Sequence, residues 1–215
     1  MRQRLENKLL EIHETLVKMS ILVEENVDWS IRALTMQQTK MADEVIENDD
    51  LIDSYEEKIE DMCIEFIATQ NPLGSDLRRI FTVLKLITDL ERIGDHAVNI
   101  ARITKTIGDE TLLEPIDDIK EMAKITRKMI YNSINSYIDQ NLDLAMETAA
   151  MDDTVDDLYE GVYDELLDIM ESKSEFKGQV IGLLLVGRYL ERIADHATNI
   201  CERVGYMITG KRMSY

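Results

Sequence analysis

Little in this sequence stops a helix. Only 2 prolines and 9 glycines occur in 215 residues, while Leu, Ile, Glu, Met and Lys are plentiful, a balance that favours a nearly all-helical protein. Cysteine is also scarce. Cys63 and Cys201 form no CxxC pair, and no secretory signal precedes the first helical pattern. Reduced thiols in a cytoplasmic protein are the expectation. The longest apolar run, Val180 to Val186, is interrupted by Gly182. It falls far short of the roughly 20 residues of a membrane span, so it reads as a buried helix segment. No sequence cluster of Lys or Arg offsets a net charge of −19. Phosphate backbones repel such a surface, which argues against direct DNA or RNA binding and favours cationic partners or metal ions. No nucleophile stands beside a base, and no glycine-rich phosphate loop occurs, so an enzyme is not expected.

What is present is amphipathic periodicity. Hydrophobic residues make up 45% and charged residues 31% of the chain, the composition of a folded globular protein. Leu5, Leu9, Ile12, Leu16, Met19, Val23, Val27, Ile31 and Leu34 recur at gaps of three and four, marking one long helix. The pattern pauses at Gln37 to Thr39. A second helix carries Ile52, Tyr55, Ile59, Met62 and Phe66 until Asn71-Pro72-Leu73-Gly74-Ser75 breaks it, with Ser75 as the expected N-cap. The third carries Ile80, Leu84, Ile87, Leu90, Ile93, Ala97 and Ile100, and Gly108 ends it. Gly108 to Glu114 reads as a linker, Pro115 as the first turn of a fourth helix and Asn141 as the next turn. A fifth helix runs to about Met170, and after a turn at Ser172-Lys173-Ser174 a sixth ends near Gly210.

The two halves overlay. Ser30-Ile31 matches Ser133-Ile134, Ala42 matches Ala145, Ile52-Asp53 matches Val155-Asp156, and Glu91 to Ile100 matches Glu191 to Ile200. The expected architecture is all-α: six long helices in two tandem three-helix repeats, residues 1–108 and 109–215. Short connections make each repeat an up-down-up bundle.

The repeated segment, LERIGDHAVNI from Leu90 and LERIADHATNI from Leu190, interleaves two patterns. Leu90, Ile93, Ala97 and Ile100 face the core, while Glu91, Asp95 and Asn99 form a polar row at i, i+4 and i+8. Glu191, Asp195 and Asn199 repeat it. The second helices add Asp49, Asp53 and Glu57, and then Asp152, Asp156 and Glu160. Adjacent helices would gather these into a hard, oxygen-only ligand set suited to Mg, Ca, Mn or Fe, and able to accept Zn. Carboxylates on facing helices also hold dinuclear metals in ferritin-like proteins, but with a Glu-x-x-His spacing, whereas here His96 follows Asp95 directly and His196 follows Asp195. In a chain with 43 acidic residues a single such pair is ordinarily a solvated face. Recurrence in both halves favours metal. A structural helical adaptor with solvated rows, and a carboxylate-bridged di-metal enzyme, are the competing readings.

Other residues take plainer roles. His96 and His196 are expected to flank the core and donate to backbone carbonyls, and Arg92 and Arg192 to pair with acids on an adjacent helix. Gly94 and Ala194 are small where helices approach. Trp29 belongs to the core, and the 12 methionines fill gaps in it.

These residues carry a family resemblance. DLERIGDHAVNIA (Asp89 to Ala101) and YLERIADHATNICE (Tyr189 to Glu202) resemble the signature helices of the PhoU family. QNPLGSDLRRI (Gln70 to Ile80) resembles its turn into the third helix. VIENDDLIDSYEEKIE (Val45 to Glu60) and the stretch from Met151 to Glu160 resemble its second-helix motif. The resemblance spans essentially the whole chain. It implies a pseudo-two-fold pair of bundles, with clusters of iron, zinc or other metals on Asp49, Asp53, Glu91 and Asp95 and on Asp152, Asp156, Glu191 and Asp195. It further implies a non-enzymatic accessory of the high-affinity phosphate transporter. That accessory would be a homodimer and a negative regulator of the phosphate-starvation response, contacting the transporter's ATP-binding subunit and a membrane sensor histidine kinase. The second repeat departs from the family pattern: Ser174-Glu175-Phe176-Lys177-Gly178 stands where Pro-x-x-x-Asp-Leu-Arg is expected.

Overall fold

The computed structural model describes residues 2–108, 110–113 and 116–212. Its helices are α1 (Arg2–Met36), α2 (Thr39–Glu47), α3 (Asp49–Gln70), α4 (Ser75–Ile107), α5 (Asp117–Ile138), α6 (Leu142–Ala149), α7 (Asp152–Ser172) and α8 (Lys177–Thr209), with one 3-10 turn at Ser174–Phe176. Among the described residues there is no strand. The expected six long helices are there, but the second of each repeat is split, into α2 and α3 and into α6 and α7. Pro115 and the side chain of Leu5 lie outside what is described.

The first split has a visible cause. Asn48 ends α2 and starts α3, and its side-chain amide donates to Asn26 Oδ1 at 3.0 Å. Asn26, fully buried on α1, donates in turn to the Val45 carbonyl at 3.3 Å. Buried backbone carbonyls need partners, and this side chain supplies one where the helix is interrupted. Asp49 consequently becomes the first residue of α3, and Asp152 stands first in α7, where a helix N-terminus favours negative charge.

The turns follow local chemistry. Gly108, at φ +62°, caps α4, and the Asn141 side chain accepts from Leu144 N at 3.1 Å to start α6. Ser75 is not an N-cap. It is already helical, and Gly74 at φ +58° occupies the cap position with no side-chain cap bond. A glycine tolerates that positive-φ backbone where a serine would not, so the helix begins one residue earlier than an N-cap at Ser75 implies.

The apolar stripes bury as expected: Ile12, Leu16, Met19, Val23, Val27, Ile31 and Leu34 on α1, and Ile80, Ile87, Leu90, Ile93, Ala97 and Ile100 on α4. Each fully buried Leu or Ile contributes about 1.5–3 kcal/mol. Trp29 packs against this core. α4 and α8 bury a second face too, including Val83, Leu86, Val98 and Ala101, because they pack on each other as well as within their own repeats. The run from Val180 to Val186 is only partly internal: Val180, Leu183 and Val186 are buried while Ile181 and Leu185 are exposed.

The pseudo-two-fold relation is legible in side-chain contacts. His96 and His196, equivalent in the repeats, lie with ring centroids 5.7 Å apart. Asp89 meets His196, and its equivalent Tyr189 meets His96. Glu24 on α1 faces its own equivalent, Arg127 on α5, at 3.8 Å. Residues meeting their counterparts, and reciprocal pairs, are what a two-fold axis between α4 and α8 and between α1 and α5 produces.

Cys63 and Cys201 are fully buried and unpaired, and burial pushes each thiol up to about 12. A thiol reagent that needs the thiolate should leave both silent in the native protein and titrate both after denaturation. Absorbance with an aromatic disulfide reagent, with and without guanidinium, checks this.

Candidate metal centre

In each repeat the two acidic rows do face one another. In the first, burial raises the pKa of Asp49, and the charges of Asp53 and Asp95 raise it further. Burial also drives Glu91 up to about 7, with Asp95, Glu56 and Asp53 adding to the shift and Arg92 opposing it. In the second, burial and then Asp156, Asp195 and Glu191 take Asp152 to about 6. Asp156 is raised by burial and by Glu191 and Asp195. The eight carboxylates thus form two groups of four, each across one interhelical groove. Glu91 and Glu191 lie deeper, with side chains 17% and 16% exposed, against 39% and 38% for Asp95 and Asp195.

The outer candidates behave differently. Glu57 and Glu160 are exposed. Asn99 accepts from Arg102 Nη1 at 3.3 Å, and Asn199 is partly buried. The acid that joins the first group is Glu56, whose pKa is raised first by burial, with Asp53 adding to the shift and Thr88 and Arg92 opposing it. Its signal was the i, i+4, i+7 spacing from Asp49.

The arginines depart from expectation. Arg92 stays on its own helix, with Nη1 2.8 Å from Asp95 Oδ2 and Nε 3.3 Å from Glu91 Oε2. Arg192 lies 2.9 Å from Asp195, and Arg188 pairs with Glu191. An i, i+3 pairing requires no crossing of the groove, so it wins over an interhelical one. These pairs are mostly exposed and contribute about 0–1 kcal/mol each. No three His, Cys, Asp or Glu side chains converge as a metal-holding group among the described residues.

The donor chemistry nonetheless fits a cation. Asp152 Oδ1 is buried without a hydrogen-bond partner, and Glu91 Oε2 is buried with only the unaligned ion-pair contact to Arg92 Nε and no hydrogen bond. Carboxylate oxygens left in that condition, beside further carboxylates, form the oxygen-only environment that hard metal ions satisfy. Glu91, Asp95, Asp49 and Asp53 would hold metal in the first repeat, and Glu191, Asp195, Asp152 and Asp156 in the second.

The histidines also differ from expectation. His196 Nδ1 lies 3.0 Å from Asp89 Oδ1, a side-chain partner rather than a carbonyl. His96 Nδ1 is buried without a partner, and its ring stacks on Tyr189 at a centroid distance of 5.6 Å. Burial, then His196, lowers His96 to about 4, so it is neutral at pH 7. Gly94 is small for the reason expected: a Cβ there would lie 3.0 Å from Ile52 Cδ1 on α3.

Comparison with known proteins agrees with this two-repeat layout. The PhoU domain matches residues 16–104 and 119–204. A Clostridium acetobutylicum protein named phosphate-specific transport system accessory protein PhoU homolog is 40% identical over 213 residues, covering 99% of this chain and 97% of that one. A Thermotoga maritima homolog of the same description is 32% identical, covering 97% and 90%. The crystal structure of PhoU from Pseudomonas aeruginosa superposes with a TM-score of 0.93 at 32% identity, covering 96% and 99%. That of the phosphate transport system regulatory protein PhoU from Streptococcus pneumoniae gives 0.92 at 27%, covering 98% and 100%. A domain that recurs in both repeats, together with relatives matched along nearly their whole length, means that the chain belongs to the PhoU family.

Proposed function

We propose that this protein is a non-enzymatic accessory of a phosphate-specific transport system, acting in the cytoplasm as a homodimer and negative regulator of the phosphate-starvation response. The observation that carries the reading is end-to-end similarity, through both repeats, to proteins named phosphate-specific transport system accessory proteins. In this reading it contacts the transporter's ATP-binding subunit and a membrane sensor histidine kinase. The net charge of −19 supports regulation through protein partners rather than through DNA. Among the described residues no helix is long and apolar enough to cross a membrane, so contact with membrane components would run through those partners.

Metal belongs to the same reading. Iron or zinc, with Mg, Mn or Ca as alternatives, would neutralise each group of carboxylates and supply charge stabilisation rather than catalysis. Glu91 and Glu191 would anchor it from inside each groove. Arg92 and Arg192 would release the outer carboxylates as it bound.

Deleting the gene is expected to raise phosphate-responsive expression at high phosphate to the starvation level, read by a reporter. Unchanged expression across high and low phosphate would remove the regulator reading. The arginine pairings favour one alternative, a helical adaptor with no specific metal. Elemental analysis of protein purified without chelator, compared with Asp53→Ala plus Glu91→Ala, separates the two. Equal metal content in both preparations would favour the adaptor.

A further inference from the structure

The sequence shows no basic run, yet the fold builds one. Where the N-terminal half of α4 meets the end of α8, a cleft of about 520 Å³ is lined by Phe81, Lys85, Glu202, Arg203, Tyr206 and Arg212. Three cations against one carboxylate is an inversion of charge in a chain with 43 acidic and 24 basic residues. Outside the cleft Arg32, Arg92, Arg127, Arg188 and Arg192 each sit on a carboxylate, while Arg79 and Arg102 bond side-chain amide oxygens. Lys85, Arg203 and Arg212 have no such partner among the described residues.

Two aromatic rings flank these cations. Phe81 is 53% and Tyr206 37% exposed, although both belong to the helices that form the central seam. A flat apolar group could cover them, and the cations would take an anion at its edge. A volume near 520 Å³ lies within the roughly 300–1,000 Å³ of small-molecule sites, and is far more than a bare phosphate fills.

The duplicated scaffold does not impose this. At the other end of the α4–α8 seam the repeat equivalents of Lys85 and Arg203 are Leu185 and Ile103. There Gly182 packs so tightly that a Cβ would lie 3.1 Å from Ile103 Cγ2. One end of the seam is apolar at these positions, with Leu185 exposed and Gly182 packed on Ile103, and the other is open, cationic and aromatic.

We propose that this cleft binds a phosphorylated small molecule bearing an aromatic ring, of the nucleotide class, with Lys85, Arg203 and Arg212 on the phosphates and Phe81 and Tyr206 on the ring. Arginine suits phosphate through paired N–H donors, and aromatic side chains stack on any base. The site is separate from the acidic rows, and its occupancy depends on neither the metal nor the regulatory reading.

The test is isothermal titration of the full chain in EDTA at constant ionic strength, so that no metal on the acidic rows can bridge to a phosphate. The probes are ATP, tripolyphosphate and adenosine. ATP is expected to bind about tenfold more tightly than tripolyphosphate despite its lower charge, because the ring stacks. Adenosine is expected to give no measurable heat. Arg203→Ala and Lys85→Ala, both at exposed positions, should weaken ATP and tripolyphosphate alike, by about tenfold. Tyr206→Ala should lower ATP to the tripolyphosphate level and leave tripolyphosphate unchanged. Glu91→Gln with Asp95→Asn should change none of these affinities. Absence of ATP binding, ATP no tighter than tripolyphosphate, or an ATP affinity indifferent to Arg203→Ala and Lys85→Ala would each overturn the proposal.

Discussion

Glu91→Gln combined with Asp152→Asn will make the metal-free protein more heat-stable at neutral pH while removing its affinity for metal. Both carboxyls are held above their ordinary range, Glu91 at about 7 and Asp152 at about 6, chiefly by burial and then by neighbouring carboxylates. A carboxyl raised in the folded state binds its proton more tightly there than in the unfolded chain. Its contribution is therefore favourable below the unfolded value and is lost as pH rises through the folded one. For these two groups that window runs from about pH 4 to pH 7. At pH 7.5 the wild-type protein carries the full cost of both charges and the neutral amides carry none. Both sites retain solvent access, so screening reduces each gain to the order of 1 kcal/mol. Losing the Arg92 contact to Glu91 offsets part of the first, although Arg92 keeps Asp95. Thermal unfolding in EDTA should show a Tm higher by roughly 4–8 °C at pH 7.5, with the difference vanishing near pH 4. Metal reverses the sign, because it binds the ionised form and releases protons. Added metal should stabilise the wild type more at pH 7.5 than at pH 5.5 and leave the variant unmoved, its affinity lower by at least the 10–100-fold that even outer-shell changes cost. A variant no more stable than wild type in EDTA would mean that neither burial nor neighbouring carboxylates make these two charges costly. A variant that still responds to metal would place the ions elsewhere.

Helical periodicity made much of the site legible in the sequence, and contacts between helices hid the rest. Repeated acidic rows on helical faces survive translation into three dimensions because 3.6-residue periodicity fixes which side chains share a face. The third member of the row was misplaced for a geometric reason. Relative to Asp49, a residue at i+8 has rotated by about 80°, whereas one at i+7 lies within about 20°. Glu56 therefore stays on the α4-facing side and Glu57 leaves it. The same rotation puts buried Val98, rather than Asn99, seven residues on from Glu91. The split at Asn48 was not legible from hydrophobic spacing, because its partner is Asn26, a polar residue buried on another helix. The pairing of Asp89 with His196 spans the two repeats and depends on how α4 crosses α8. The cationic cleft has the same origin, since its charges lie 118 residues apart in Lys85 and Arg203 and meet only at the seam.

Packing between the helices that carry the acidic rows yields the second large effect. Gly94 on α4 faces Ile52 on α3, and a Cβ at Gly94 would approach Ile52 Cδ1 to 3.0 Å. At the equivalent positions the second repeat has Ala194 and Val155, both fully buried. One methyl has moved across the interface: Gly with Ile in one bundle, Ala with Val in the other. Gly94→Leu cannot be accommodated by trimming one rotamer, and overpacking of this kind typically costs about 1–3 kcal/mol or more. It also forces α3 from α4, spreading Asp49 and Asp53 from Glu91 and Asp95, so metal uptake by the first repeat should fall with stability. Gly94→Ala sets a helix-propensity gain of about 1 kcal/mol against compression of Ile52. Ile52→Val alone removes a buried methyl and costs about 0.5–1.5 kcal/mol. Together they rebuild the second repeat's solution, so the double variant should exceed the sum of the singles by about 1 kcal/mol or more, a coupling readable in a double-mutant cycle of denaturant unfolding. Strict additivity would show that the two side chains do not compete for one space, and that the spacing of the acidic helices is set elsewhere.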